Sequence, residues 1–118
     1  MEIAGLKLEI FIPESHLPAL RSALKSVGAG RLGHYDCCIT YSKVTGSWLP
    51  LHGSRPYLGS ENEVYEADEI KVEVNICCDD LDKTLDAIYA VHPYEEPLVN
   101  AMPILPVQRK SEKRGDMP

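Results

Sequence analysis

Apolar and polar residues alternate over Leu6-Lys7-Leu8-Glu9-Ile10-Phe11-Ile12, with Leu6, Leu8, Ile10 and Ile12 on one side and Lys7 and Glu9 on the other. This period of two belongs to a strand buried on one face, and Pro13 closes it. The period then becomes helical, with Leu17, Leu20, Leu24 and Val27 recurring on one stripe. Ser15 can cap this helix, and Pro18 falls in its first turn, where a missing N–H leaves no bond unmade. Gly28 is placed to end it in the left-handed conformation.

The segment from His34 to Tyr41 is rich in β-branched and aromatic residues and predicts a second strand, with Tyr35, Cys37, Ile39 and Tyr41 on one face. From 45 to 60 periodicity fails. Gly46, Pro50, Gly53, Pro56 and Gly59 punctuate a predicted long loop that carries Trp48, Leu49, Leu51, Tyr57 and Leu58. That content is too apolar for a solvated linker, so the loop is expected to be an oligomer contact or a pocket rim. After the acidic stretch Glu61 to Glu69, Ile70, Val72, Val74 and Ile76 alternate with Lys71, Glu73 and Asn75. This predicts a third strand, paired with the second. Asp79 or Asp80 then caps a helix with the stripe Leu81, Leu85, Ile88 and Val91, which Pro93 stops. Leu98 to Ile104 predicts a last strand, ended or held at a sheet edge by Pro103 and Pro106.

The order strand, helix, strand, strand, helix, strand predicts an α+β fold. Specifically, it is the ferredoxin-like βαββαβ arrangement, an antiparallel sheet with both helices on one face. Phe11, Cys38 and the aromatic loop suggest that another subunit covers the opposite face or the edge beside it. Residues 1–107 read as one domain and 108–118, with Arg109, Lys110, Lys113 and Arg114, as a polar flexible tail.

A chain of 118 residues can bury one core without metal or disulfide support. Its formal charge of −6 disfavours nucleic acid and anionic membranes as partners. No apolar run approaches the roughly 20 residues that span a bilayer, so a soluble, cytoplasmic protein is expected. The adjacent pairs Cys37-Cys38 and Cys77-Cys78 lack the two-residue spacing of zinc or redox motifs. One thiol of each pair is expected to face the core as a small hydrophobe, and a cross-strand metal or redox site is the alternative.

Two stretches carry candidate chemistry. Gly28-Ala29-Gly30-Arg31-Leu32-Gly33 follows a helix, whereas a dinucleotide or phosphate loop follows a strand. It reads as a tight turn, or as an anion or small-ligand turn using Arg31 and free backbone N–H groups. His92-Pro93-Tyr94-Glu95-Glu96-Pro97 joins the second helix to the last strand. Its imidazole and carboxylates suit a divalent metal, the one candidate cofactor, if His92, Glu95 and Glu96 recruit His34 or Asp36. A structural junction is the competing reading, with His92 at the helix carboxyl end and the carboxylates accepting backbone N–H groups.

Taken together, Pro13-Glu14-Ser15-His16-Leu17, the glycine turn running into His34-Tyr35-Asp36, the Gly46-Ser47-Trp48-Leu49-Pro50 segment with Gly53, and HPYEEP resemble a known domain. It is the small PII/CutA-like domain inserted in the Nif-three-like (YqfO-type) dinuclear-metal-centre proteins, and the resemblance covers roughly residues 5–105. HPYEEP is also similar to a stretch of the CutA divalent-cation tolerance proteins, which assemble as trimers. The resemblance implies a PII/CutA-like fold. The two-metal site of the Nif-three-like proteins belongs to their larger flanking halves, so no metal ligand carries over.

The leading expectation is a small homo-oligomeric ligand- or cation-binding, regulatory domain, a trimer or a dimer. Its ligand site would use Gly28, Gly30, Arg31, Gly33, Trp48 and Tyr94. The alternative is an interaction module docking on another protein through the loop at 45–60. An enzyme ranks last, since no nucleophile stands beside a base and an orienting group at recognisable spacing.

Overall fold

Leu8, Ile10 and Ile12 are fully buried, and all three belong to strand β1 (Gly5–Ile12), whose other side carries Lys7, Glu9 and Phe11. The computed structural model describes residues 5–107. A single turn of 3₁₀ helix leads into α1 (Leu17–Ser26), and the chain continues through β2 (Ile39–Trp48), β3 (Tyr65–Cys77), α2 (Leu81–Val91) and β4 (Val99–Ile104). The strands form one antiparallel sheet in the order β2-β3-β1-β4. Leu20 and Leu24 of α1 and Ile88 of α2 pack with Leu8, Ile10, Ile12, Ile70, Val72 and Val74 in one core, so both helices lie on the same face. Each such side chain contributes on the order of 1.5–3 kcal/mol by leaving water.

The expected ferredoxin-like architecture is present. The two helices match their apolar stripes, except that Thr84, which returns its hydroxyl to the Asp80 carbonyl at 2.7 Å, is buried where the stripe named Leu85. Neither helix is capped by a side chain. His16 and Asp80 occupy the N-cap positions without a capping bond, and Ser15 contacts the His16 ring instead.

Strand boundaries differ more. Residues 34–37, expected within the second strand, form a turn, with Cys37 at φ 50° and its N–H bound to the Asp36 carboxylate. β2 runs instead from Ile39 to Trp48 and pairs along its whole length with β3, which starts at Tyr65. The loop therefore spans 49–64, and part of the acidic stretch is strand. Of the cysteines, Cys37 is half-buried against the core, while Cys38 and Cys77 are exposed thiols.

The open face of the sheet is not the apolar surface expected. Lys7 meets Glu73 at 2.8 Å, and Lys71 lies 3.6 Å from Glu73 and 3.9 Å from Glu9. This lattice of charges occupies the middle of the face. The end around Phe11 is apolar, and there the 49–64 loop of the same chain folds over it; toward the other end Met102 and Ile104 of β4, opposite Lys7 and Gly5, share this face.

Candidate functional site: an aromatic pocket at one end of the sheet

The pocket begins with strand register. Pairing of Val44 with Glu69, Gly46 with Ala67 and Trp48 with Tyr65 puts these residues on the open face. They extend the sheet beyond the helices. Trp48 lies 5.4 Å from the Tyr65 ring centroid, and its indole N–H donates to the Leu58 carbonyl at 3.1 Å, which fastens the loop over the strands.

The second wall is HPYEEP, held by His92. The imidazole Nε2 lies 2.6 Å from the Phe11 carbonyl, and the Tyr94 N–H lies 3.2 Å from Nδ1. A carbonyl can only accept and an amide N–H can only donate, so the ring is neutral with its proton on Nε2. Burial pushes the His92 pKa below its usual range, opposed by the Phe11 bond. His92 thus ties the end of α2 to β1 and aims Tyr94 back over the sheet.

Tyr94 stands 5.0 Å from the His92 ring, 5.5 Å from Trp48 and 6.0 Å from Tyr57. Its hydroxyl donates to Glu69 Oε2 at 2.7 Å. Burial, and then the bond to this carboxylate, hold the phenol pKa well above its ordinary value. Glu69 itself is 7% exposed. Its carboxylate lies against Gly46, in the space that a Cβ at that position would fill. A glycine inside a strand marks such a close approach.

The loop closes the site. The Arg55 N–H donates to Glu95 Oε1 at 2.9 Å, and Tyr57 meets the His16 ring edge-on at 6.1 Å. The cleft, half open to solvent, measures about 540 Å³. Glu69, Glu95 and Glu96 line it, together with aromatic, aliphatic and hydroxyl side chains, and among the described residues no Lys, Arg or His does.

Of the residues singled out from sequence, the structure brings Trp48, Tyr94, Glu95 and Glu96 to this cavity. Gly28, Gly30, Arg31 and Gly33 lie elsewhere. The Gly30 N–H binds the Asn75 carbonyl, six residues along β3 from Glu69 and hence about 20 Å away. Arg31 turns its guanidinium to the Gly33 carbonyl at 3.0 Å. His34 and Asp36 share that distant turn. Among the described residues no three His, Cys, Asp or Glu side chains gather to hold a metal, and both ring nitrogens of His92 are engaged. Glu69 and Gly46 were missed in the sequence. Their only signals were a glycine in what proves to be a strand and a glutamate where the acidic run meets the alternating one; the register sets Glu69 opposite Val44, diagonal to Gly46.

No family model matches the chain. Among curated proteins it is 35% identical over 98 residues to a GTP cyclohydrolase 1 type 2 homolog of Halalkalibacterium halodurans, covering 83% of the chain and 26% of that protein. The corresponding Bacillus subtilis protein is 31% identical over 109 residues, 92% of the chain and 28% of the relative. The chain thus spans about a quarter of the length of the curated relatives it matches. Among solved structures, a Bacillus cereus protein related to NIF3 superposes with a TM-score of 0.75 at 29% identity, over 86% of this chain and 26% of that one. The divalent cation tolerance protein CutA from Archaeoglobus fulgidus matches with a TM-score of 0.66 at 16% identity, over 91% and 90% of the two chains. GlnK of B. subtilis matches with a TM-score of 0.60 at 18% identity, over 86% and 85%.

The chain has the CutA/PII-like fold. Its sequence relatives are the Nif3-related proteins, of which this CutA/PII-like domain corresponds to one part. No helix among its described residues is long and apolar enough to cross a membrane.

Proposed function

We propose that this CutA/PII-like domain is a self-associating regulatory module that binds a small molecule in the pocket between the 49–64 loop and HPYEEP. The observation that carries the reading is Glu69, a buried carboxylate seated on Gly46 and held by Tyr94 at the floor of a cavity of about 540 Å³. Ligand sites are concave, mostly apolar and furnished with a few fixed polar groups, at volumes of roughly 300–1,000 Å³. The CutA and GlnK neighbours support a small regulatory or ligand-binding domain of that type.

Self-association is supported by β2 and β4, both edge strands of the sheet. It is also supported by the exposure of Tyr35, Tyr41 and Leu98 on or beside them. The activity named for the longer relatives, and any partner of theirs, would involve the three quarters of those proteins that this chain does not match. The test joins a thermal-shift screen of small metabolites with light scattering. A dimer or trimer stabilised by at least one class of compound is expected. A monomer that no compound stabilises contradicts the reading and favours docking of another protein on the aromatic loop.

A further inference from the structure

We infer that the ligand of this pocket is a small organic cation, a quaternary ammonium or protonated amine on a compact apolar body. The inference rests on reading the cavity as a ligand site and adds the charge and class of the occupant.

Glu69 is 7% exposed, yet among the described residues no Lys, Arg or His forms an ion pair with it; the pairs present involve Glu9, Glu61, Glu73 and Asp80. A buried carboxylate without a cation is costly, and one phenol hydrogen bond offsets only part of that cost. A cationic ligand supplies the missing countercharge. The lining is also aromatic: Trp48, Tyr57 and Tyr94 border the cavity, with Trp48 and Tyr57 packed on Tyr94 at 5.5 and 6.0 Å. Rings of this kind attract an ammonium through their negative faces. Glu95 and Glu96 add negative charge at the rim, and among the described residues no cationic side chain lines the cavity. A phosphate-bearing ligand would meet three carboxylates and no countercharge. A bare metal ion is also poorly served, because the carboxylates do not converge with other ligands.

The experiment uses Trp48, the single tryptophan, as the reporter. The full chain is titrated with tetramethylammonium, choline and short protonated alkylamines. In parallel it is titrated with neutral carbon isosteres such as 3,3-dimethylbutanol, and with GTP as a polyanion. The expected result is saturable change in Trp48 emission with the cations, about tenfold tighter than with the isosteres, and none with GTP. Glu69→Gln should abolish the preference for charge. If that variant fails to fold, the exposed double change Glu95→Gln with Glu96→Gln should weaken cation binding and reduce its salt dependence. Equal binding of the neutral isosteres, or binding of GTP instead, overturns the cation assignment and leaves the pocket a ligand site. No response in emission or melting temperature to any cation overturns the cation assignment, and the wider metabolite screen then decides whether the pocket is a ligand site.

Discussion

The carboxylate of Glu69 lies where the side chain of residue 46 would begin, and only because that residue is Gly46 can a buried acid sit flat on the outer face of β2. Gly46→Ala should therefore displace the carboxylate and cost about 1–3 kcal/mol, the usual penalty of overpacking. The cost should largely vanish when Glu69 is already alanine, because the two effects share one cause. Chemical denaturation of the four proteins measures this coupling, and additive effects would show that the contact is incidental.

The fold was legible where one face of an element meets the core. Leu8, Ile10 and Ile12 in β1 and Val72, Val74 and Ile76 in β3 alternate because their partners face water or the charge lattice. The outer halves of β2 and β3 extend past the helices. There Thr45, Ser47, Glu66 and Asp68 have no core to face, so alternation disappears and the segments read as loop and acidic run. The site was half legible for a related reason. Trp48 and Tyr94 stand out as large aromatics in punctuated segments, whereas the partnership of Glu69 with Gly46 exists only in the cross-strand register.

A second expectation concerns acid. His92 carries a pKa lowered by burial from 6.5, with His16 acting in the same direction and Glu69 and the Phe11 bond opposing. The native state binds this proton less readily than the unfolded chain. The contribution is therefore complete above about pH 6.5 and is lost as pH falls through the folded value. Stability measured between pH 7 and pH 5 should decline, and the decline should flatten in His92→Ala, which itself costs about 1–3 kcal/mol at neutral pH by leaving the Tyr94 N–H and Phe11 carbonyl without a partner. An unchanged slope in that variant would assign the acid sensitivity to other groups.

Tyr94→Phe removes the one hydroxyl that donates to Glu69. A loss of about 1–3 kcal/mol is expected from the unsatisfied buried acceptor. Tyrosine absorbance gives an independent signature. Part of it should ionise above the ordinary phenol value of 10.0, and that part should disappear in the variant. A titration curve identical to that of the parent protein would mean that Tyr94 is not the shielded phenol.

The glycine turn at the other end of the sheet yields an ordering. Gly28 has φ +74° with open space where a Cβ would stand, while Gly30 has φ +80° and would bring a Cβ to 2.8 Å from the Cys38 backbone. Gly28→Ala should cost about 1–2 kcal/mol, the left-handed strain alone. Gly30→Ala should cost about 3 kcal/mol or more, because strain and collision act together. Equal costs in thermal melts would contradict the turn geometry.

If ligands enter between the 49–64 loop and HPYEEP, as proposed, amide chemical shifts of the isotope-labelled chain titrated with the quaternary ammonium series will locate them there. Under that placement, shifts concentrated at Gly46, the Trp48 indole, Arg55 and Tyr94 are expected. Shifts concentrated instead at Gly28, Gly30 and Gly33, about 20 Å away along β3, would contradict it.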